Sequence, residues 1–164
     1  MALADQSRSS KGSLVGYSDQ HRLGTPYHRI DFQFNPTSIR ERREAVYNFS
    51  EAQGQLLPQA QFGRVGNTEI SFELFMFNHE GIDLKPLRGL TLPKQLTNLT
   101  YYTQAQPDVY HLILDDYGDF IGVVTGVDLV TEQYHKKTLK PIHVKAQIKF
   151  VQVSLGATQD LFYI

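Results

Sequence analysis

Cysteine is missing from this chain, and so is tryptophan, among 164 residues. Without thiols there is no disulfide, no thiolate nucleophile and no cysteine-held zinc, which suits assembly in a reducing cytoplasm. Excess charge is missing too. Lys and Arg number 16 against 17 Asp and Glu, so the chain as a whole exerts no pull on nucleic acid or an anionic membrane. No apolar run approaches the roughly 20 residues that a membrane-spanning helix needs. The polar start shows no apolar stretch of a secretory signal, and none is expected. The glycosylation-type triplets Asn48-Phe49-Ser50 and Asn98-Leu99-Thr100 are therefore read as chance matches. Nucleophile-elbow, P-loop and Rossmann glycine patterns are all absent. His21, His28, His79, His111, His135 and His143 are scattered, with none of the i, i+4 pairing of a helical metal site. They are read as ordinary surface or core histidines, and neither a cofactor nor a metal is expected.

What the chain does hold is β-sheet material. Its 10 Phe and 9 Tyr suit strands and interfaces, and its length suits one domain with a buried core. Residues 1–26 offer little to bury and are expected to form a flexible N-terminal tail. A strand follows over about 27–34, with Ile30, Phe32 and Phe34 on one face, and Asn35-Pro36 ends it. Residues 38–66 mix arginines, glutamates, glutamines and glycines without clean periodicity, apart from a short strand near 45–49. This long loop reads as an excursion that another chain must order. Thr68 to Phe77 is the clearest strand, burying Ile70, Phe72, Leu74 and Met76.

Leu92, Leu96 and Leu99 recur at helical spacing, so a short turn followed by a helix from about Leu92 is expected within 83–104. Residues 109–114 and 120–132 form a hairpin around the turn Asp115-Asp116-Tyr117-Gly118-Asp119. The last strand runs over about 142–155. Its apolar parity flips after Phe150, which predicts a bulge there. The fold class is α+β: a mainly antiparallel bent sheet or small barrel with one flanking helix and a long loop. The domain is expected to end near residue 156, leaving 157–164 as an apolar C-terminal tail.

Few residues invite a chemical reading. Asp115, Asp116 and Asp119 could hold a cation or act as acid and base, but the same residues are what a hairpin turn favours. Lys136, Lys137, Lys140, Lys145 and Lys149, beside Tyr134, could form a nucleic-acid patch. A near-neutral chain favours instead a solvated, aggregation-guarding strand face, or one that meets an acidic neighbour.

Taken in order, several segments resemble the tube-forming module of contractile injection systems and contractile phage tails. They are Phe32-Gln33-Phe34-Asn35-Pro36-Thr37-Ser38-Ile39, Gly66 through Leu74, the Leu-bearing helix, Gly118-Asp119-Phe120-Ile121-Gly122, and Pro141 through Val153. The likeness is to tube-initiator or hub-adaptor proteins in particular. Relatives carry Gly-x-Pro before the closing strand, where Lys140 precedes Pro141 here, and no LysM-like segment follows within these residues.

The resemblance implies a non-enzymatic, tail-tube-like β-barrel subunit of a homohexameric ring. That ring would lie in a virion tail baseplate, joining the central hub or spike to the tail tube protein and initiating the tube. Baseplate wedge or sheath proteins are further partners, while no membrane and no specific nucleic acid is implied. Rings of this kind join sheets side by side and clasp neighbours with long loops. Closure by two different complementary surfaces makes Arg40, Arg42, Arg43, Glu69, Glu73, Asp115, Asp116, Asp119, Lys145 and Lys149 the expected subunit interface. The alternatives are the tail tube or a tail terminator, or a small β-barrel module that binds a ligand or nucleic acid. An enzyme built on the aspartates stands behind both.

Overall fold

The computed structural model describes residues 11–17, 28–91 and 109–153. Among these, the strands in chain order are β1 (Ser13–Tyr17), β2 (His28–Asp31), β3 (Ile39–Arg42), β4 (Ala45–Ser50), β5 (Gln59–Val65), β6 (Glu69–Phe77), β7 (Val109–Ile113), β8 (Asp119–Tyr134) and β9 (Pro141–Gln152). A one-turn helix, α1 (Lys85–Arg88), runs into a 3-10 turn at Gly89–Thr91. Seven strands form one antiparallel sheet in the order β2-β1-β7-β8-β9-β6-β3, and β4 and β5 pair separately. This is the α+β, mainly antiparallel architecture that the alternation predicts.

Alternation also decides what is inside. Ile70, Phe72 and Leu74 of β6 meet Val144, Ala146, Ile148 and Phe150 of β9 on one face. Leu14, Leu112 and Phe120 continue that face, and Leu84, Leu87 and Leu90 cover it from the helical turn. Burying one such Leu or Phe side chain is worth about 1.5–3 kcal/mol relative to leaving it in water.

The sheet is strongly bent. Phe32 lies one residue beyond β2, at one end of the strand order, yet its ring sits 5.6 Å from that of Phe72 in β6. In a flat sheet those strands would be about 24 Å apart. The next residue, Gln33, pairs with the Phe77 backbone through both atoms of its amide: Phe77 N–H donates to Oε1 at 2.8 Å and Nε2 donates to the Phe77 carbonyl at 2.9 Å. Tyr117, in the β7–β8 turn, reaches Glu41 of β3 at 2.7 Å. The 32–38 connection thus bridges the two ends of a sheet curled around its core.

Several expectations are corrected. Residues 13–17, expected inside the flexible tail, form a strand between β2 and β7 with Leu14 fully buried. Five residues between polar flanks are too few for periodicity to register. The first expected strand stops at Asp31, and Phe34 is exposed instead of sharing the inner face with Phe32. Residues 38–66 are not a structureless loop, since they supply β3 to the main sheet and then the β4–β5 hairpin.

The predicted bulge near Phe150 lies in the partner strand. β9 keeps its register, while β8 skips a residue between Val124 and Gly126, opposite Phe150 and Lys149. The bulge inverts β8, so Phe120 and Val124 face the core before it, and Val127 and Leu129 after it. Ile121, on the opposite face from Phe120, lies with Val109 in a separate buried cluster. The expected helix from Leu92, the rest of the N-terminal tail and the apolar segment 157–164 fall outside the described residues.

Candidate assembly surfaces

Among the described residues, the β4–β5 hairpin is left uncovered by the rest of the fold. Every residue of both strands is exposed. Yet the hairpin and its connecting loop carry Tyr47, Phe49, Leu56, Leu57, Phe62 and Val65, with Phe49 69% and Leu56 101% exposed. Tyr47 and Phe62 form an edge-to-face pair across the ribbon at 5.6 Å, which stiffens it without burying it. Gly66 N–H donates to the Glu44 carbonyl at 2.7 Å and closes the base. A lone two-stranded ribbon is marginal in water, and apolar side chains clustered on one mark a contact surface. Sequence reasoning read the 38–66 segment as one that another chain must order, but singled out none of these apolar side chains. The available signal was Leu56-Leu57 standing inside a Gln- and Gly-rich stretch.

The expected interface residues fall into three groups. Arg40 and Arg42 lie on β3, Glu69 on β6 and Lys149 on β9. Register sets Arg40 opposite Ser71 and Ser71 opposite Lys149, with Arg42 opposite Glu69 one step along. Together these residues line an open groove of about 290 Å³ on the outer face of the sheet. Among the described residues Arg40 and Lys149 have no ion-pair partner, whereas Arg42 pairs with Glu44 and Arg43 with Glu41.

The second group lies nearer the β8–β9 turn. Lys145 Nζ sits 2.7 Å from Glu132 Oε1, and His143 Nδ1 2.9 Å from Glu132 Oε2. The Lys145 hydrogen bond holds the Glu132 carboxyl below its ordinary value of 4.5. The same bond raises Lys145, with the charge of Glu73 a smaller contribution. The third group is the turn at Asp115–Asp119. Asp115 and Asp116 are exposed, and Asp119 Oδ2 lies 3.5 Å from His111 Nε2.

These groups do not converge on a chemical centre. The aspartates sit on an exposed turn, and no cluster of three His, Asp or Glu suited to a metal ion occurs among the described residues. No helix among them is long and apolar enough to cross a membrane. Beside the charged groups, sheet edges are left open among the described residues. Among these, β3 is paired with β6 alone. Among these too, β8 beyond Gly122 is paired only with β9, since its pairing with β7 ends at Tyr110–Gly122. An open edge presents a row of backbone donors and acceptors ready to pair with another strand.

A family model described as contractile injection system tube protein matches residues 8–159. No curated protein sequence matches the chain.

Proposed function

The chain belongs to the contractile injection system tube protein family, and from that premise we propose that it forms the ring joining the central hub or spike to the inner tail tube. The family is a structural one, so the chain has a tube-related structural role in a contractile tail or tail-like particle, together with other tube and tail components. The finer reading is a homohexameric initiator ring at the baseplate that templates the first tube ring. The β4–β5 hairpin carries this reading. It exposes Phe49, Leu56, Leu57 and Phe62 on a ribbon that the body of the subunit does not cover. Such an arm is stable only when a neighbour buries it. In a closed ring the open edges of β3 and β8 are the complementary pair that heterologous closure requires. The groove with the uncompensated Arg40 and Lys149 lies on the sheet beside the β3 edge.

Placement in the baseplate is tested by locating the chain along the tail axis by cryo-electron microscopy of the intact particle. An initiator occupies one ring next to the hub. Density repeated along the whole shaft would make it the tube subunit instead. That second reading is favoured by one observation, the opposite charge of the two turns that flank β8, Asp115–Asp119 before it and Lys136–Lys140 after it. Limited proteolysis separates both from a monomeric ligand-binding module. Cleavage within 51–58 in the isolated chain and protection on assembly is the expected outcome. A compact monomer with an uncleaved hairpin would overturn the ring reading.

A further inference from the structure

The β4–β5 arm joins the body of the subunit through two short links, residues 43–44 before β4 and 66–68 after β5. Both residues of the first link are tied back to β3. Arg43 Nε donates to Glu41 Oε1, and the Glu44 carboxylate accepts from Arg42. The second link is tied to the first, because Gly66 N–H donates to the Glu44 carbonyl at 2.7 Å. That approach leaves no room for a side chain: a Cβ at Gly66 would lie 2.9 Å from the same oxygen.

The ties continue into the body of the sheet. Glu41 Oε2 accepts from the Tyr117 hydroxyl at 2.7 Å. One carboxylate thus holds Arg43 of the link with one oxygen and Tyr117 of the β7–β8 turn with the other. Tyr117 is itself braced. Its ring lies 6.2 Å from that of Phe120, a core residue, and its N–H donates to the Leu114 carbonyl at 2.9 Å. The strands of the arm are 6 and 7 residues long, about 20 Å at the strand rise. A swing of about 20° at the base carries their far ends by about 7 Å, further than a side-chain contact tolerates. Every residue of both strands is exposed, so among the described residues it is the links, and what ties them, that resist such a swing.

We propose that Tyr117, Glu41 and Arg43 form a clasp that aims the β4–β5 arm before a neighbour is met. The clasp rests on the assembly role read above for the arm and adds the residues that position it. Each exposed contact is weak alone. The two share one carboxylate and act at the base of a lever, so together they narrow the directions that the arm samples. A narrower range lowers the ordering cost of docking.

The chain has no cysteine, so paired spin labels can be placed without background. Labels at Gln61→Cys and Asp128→Cys span arm and body, and labels at Lys85→Cys and Asp128→Cys span the body alone; all three positions are exposed. Distances are read by double electron–electron resonance on the monomeric full-length chain, in the parent, in Tyr117→Phe and in Glu41→Gln/Arg43→Gln. Arg29→Gln, which breaks a similarly exposed ion pair with Asp31, is the control. The arm-to-body distribution is expected to be narrow in the parent and in Arg29→Gln, to broaden about twofold in Tyr117→Phe and to broaden further in the double variant. The body distances are expected to stay unchanged throughout. Assembly of Tyr117→Phe, followed by light scattering, is expected to be about threefold slower than that of the parent. An arm distribution equally narrow in both variants, or already broad in the parent, would overturn the clasp. So would body distances that broaden with it, which would mean a loosened fold, or an assembly rate that ignores a broadened arm. A parent that does not assemble would overturn the ring reading, and the distances would still decide whether the clasp aims the arm.

Discussion

A side chain at Gly122 would bring its Cβ within 2.0 Å of the Val151 carbonyl oxygen in the neighbouring strand. No rotamer change relieves a clash with backbone, so Gly122→Val is expected to destabilise the fold by about 3 kcal/mol. Urea denaturation reads it, and a loss below about 0.5 kcal/mol would show that β8 and β9 can separate freely there.

The Glu41–Tyr117 contact was not legible, because the two residues stand 76 positions apart. The Tyr117 hydroxyl, and after it Arg43, holds the Glu41 carboxyl below its ordinary 4.5, and the same bond lifts Tyr117 above 10.0. The stabilising effect of a lowered carboxyl is complete above 4.5 and lost as pH falls through the folded value. That of the raised phenol is complete below 10.0 and lost as pH rises through its folded value. Stability from this contact is therefore flat between those limits. Tyr117→Phe is expected to lower stability slightly on that plateau, by under about 1 kcal/mol for so exposed a pair, and to have no effect well below 4.5. A parental and variant urea-denaturation series across pH checks the shape.

Among the elements, the β4–β5 hairpin divides stability from assembly. It buries no side chain, so Leu56→Ser/Leu57→Ser is expected to leave monomer stability within about 0.5 kcal/mol of the parent. The same change is expected to weaken assembly severalfold, read by sedimentation of ring against monomer. A large loss of monomer stability would mean that the arm packs on its own subunit. Apart from the short strand expected near 45–49, which is β4, the hairpin escaped periodicity because alternation reports a difference between two faces, and a ribbon open on both faces has none. β6 and β9 were legible for the converse reason, since one face of each is core. β8 was half legible. Its apolar residues marked a strand, but the bulge between Val124 and Gly126 exchanged their faces.

For the whole molecule, the subunit has a finished interior and an unfinished exterior. The curled sheet encloses Phe72, Phe150, Ile148 and Leu112 almost completely, while among the described residues the arm and the edges of β3 and β8 are left uncovered. Assembly that buries such surfaces stabilises the folded chain by mass action. The melting temperature is therefore expected to rise with protein concentration, by about 3 °C for each tenfold increase while rings form. A value constant from micromolar to millimolar concentration, read by differential scanning calorimetry, would argue for a self-sufficient monomer.

The order of hydrophobic and polar residues was enough to set the antiparallel sheet class, the β6–β9 core and the two charged turns, because strand periodicity and turn chemistry act over a few neighbouring positions. The curl that brings Phe32 to Phe72, the entry of residues 13–17 into the sheet, the bulge in β8 and the separation of the arm from the body came from tertiary structure alone. Each depends on which distant strands pair and in what register, and that choice is made by the fit of a whole closed core.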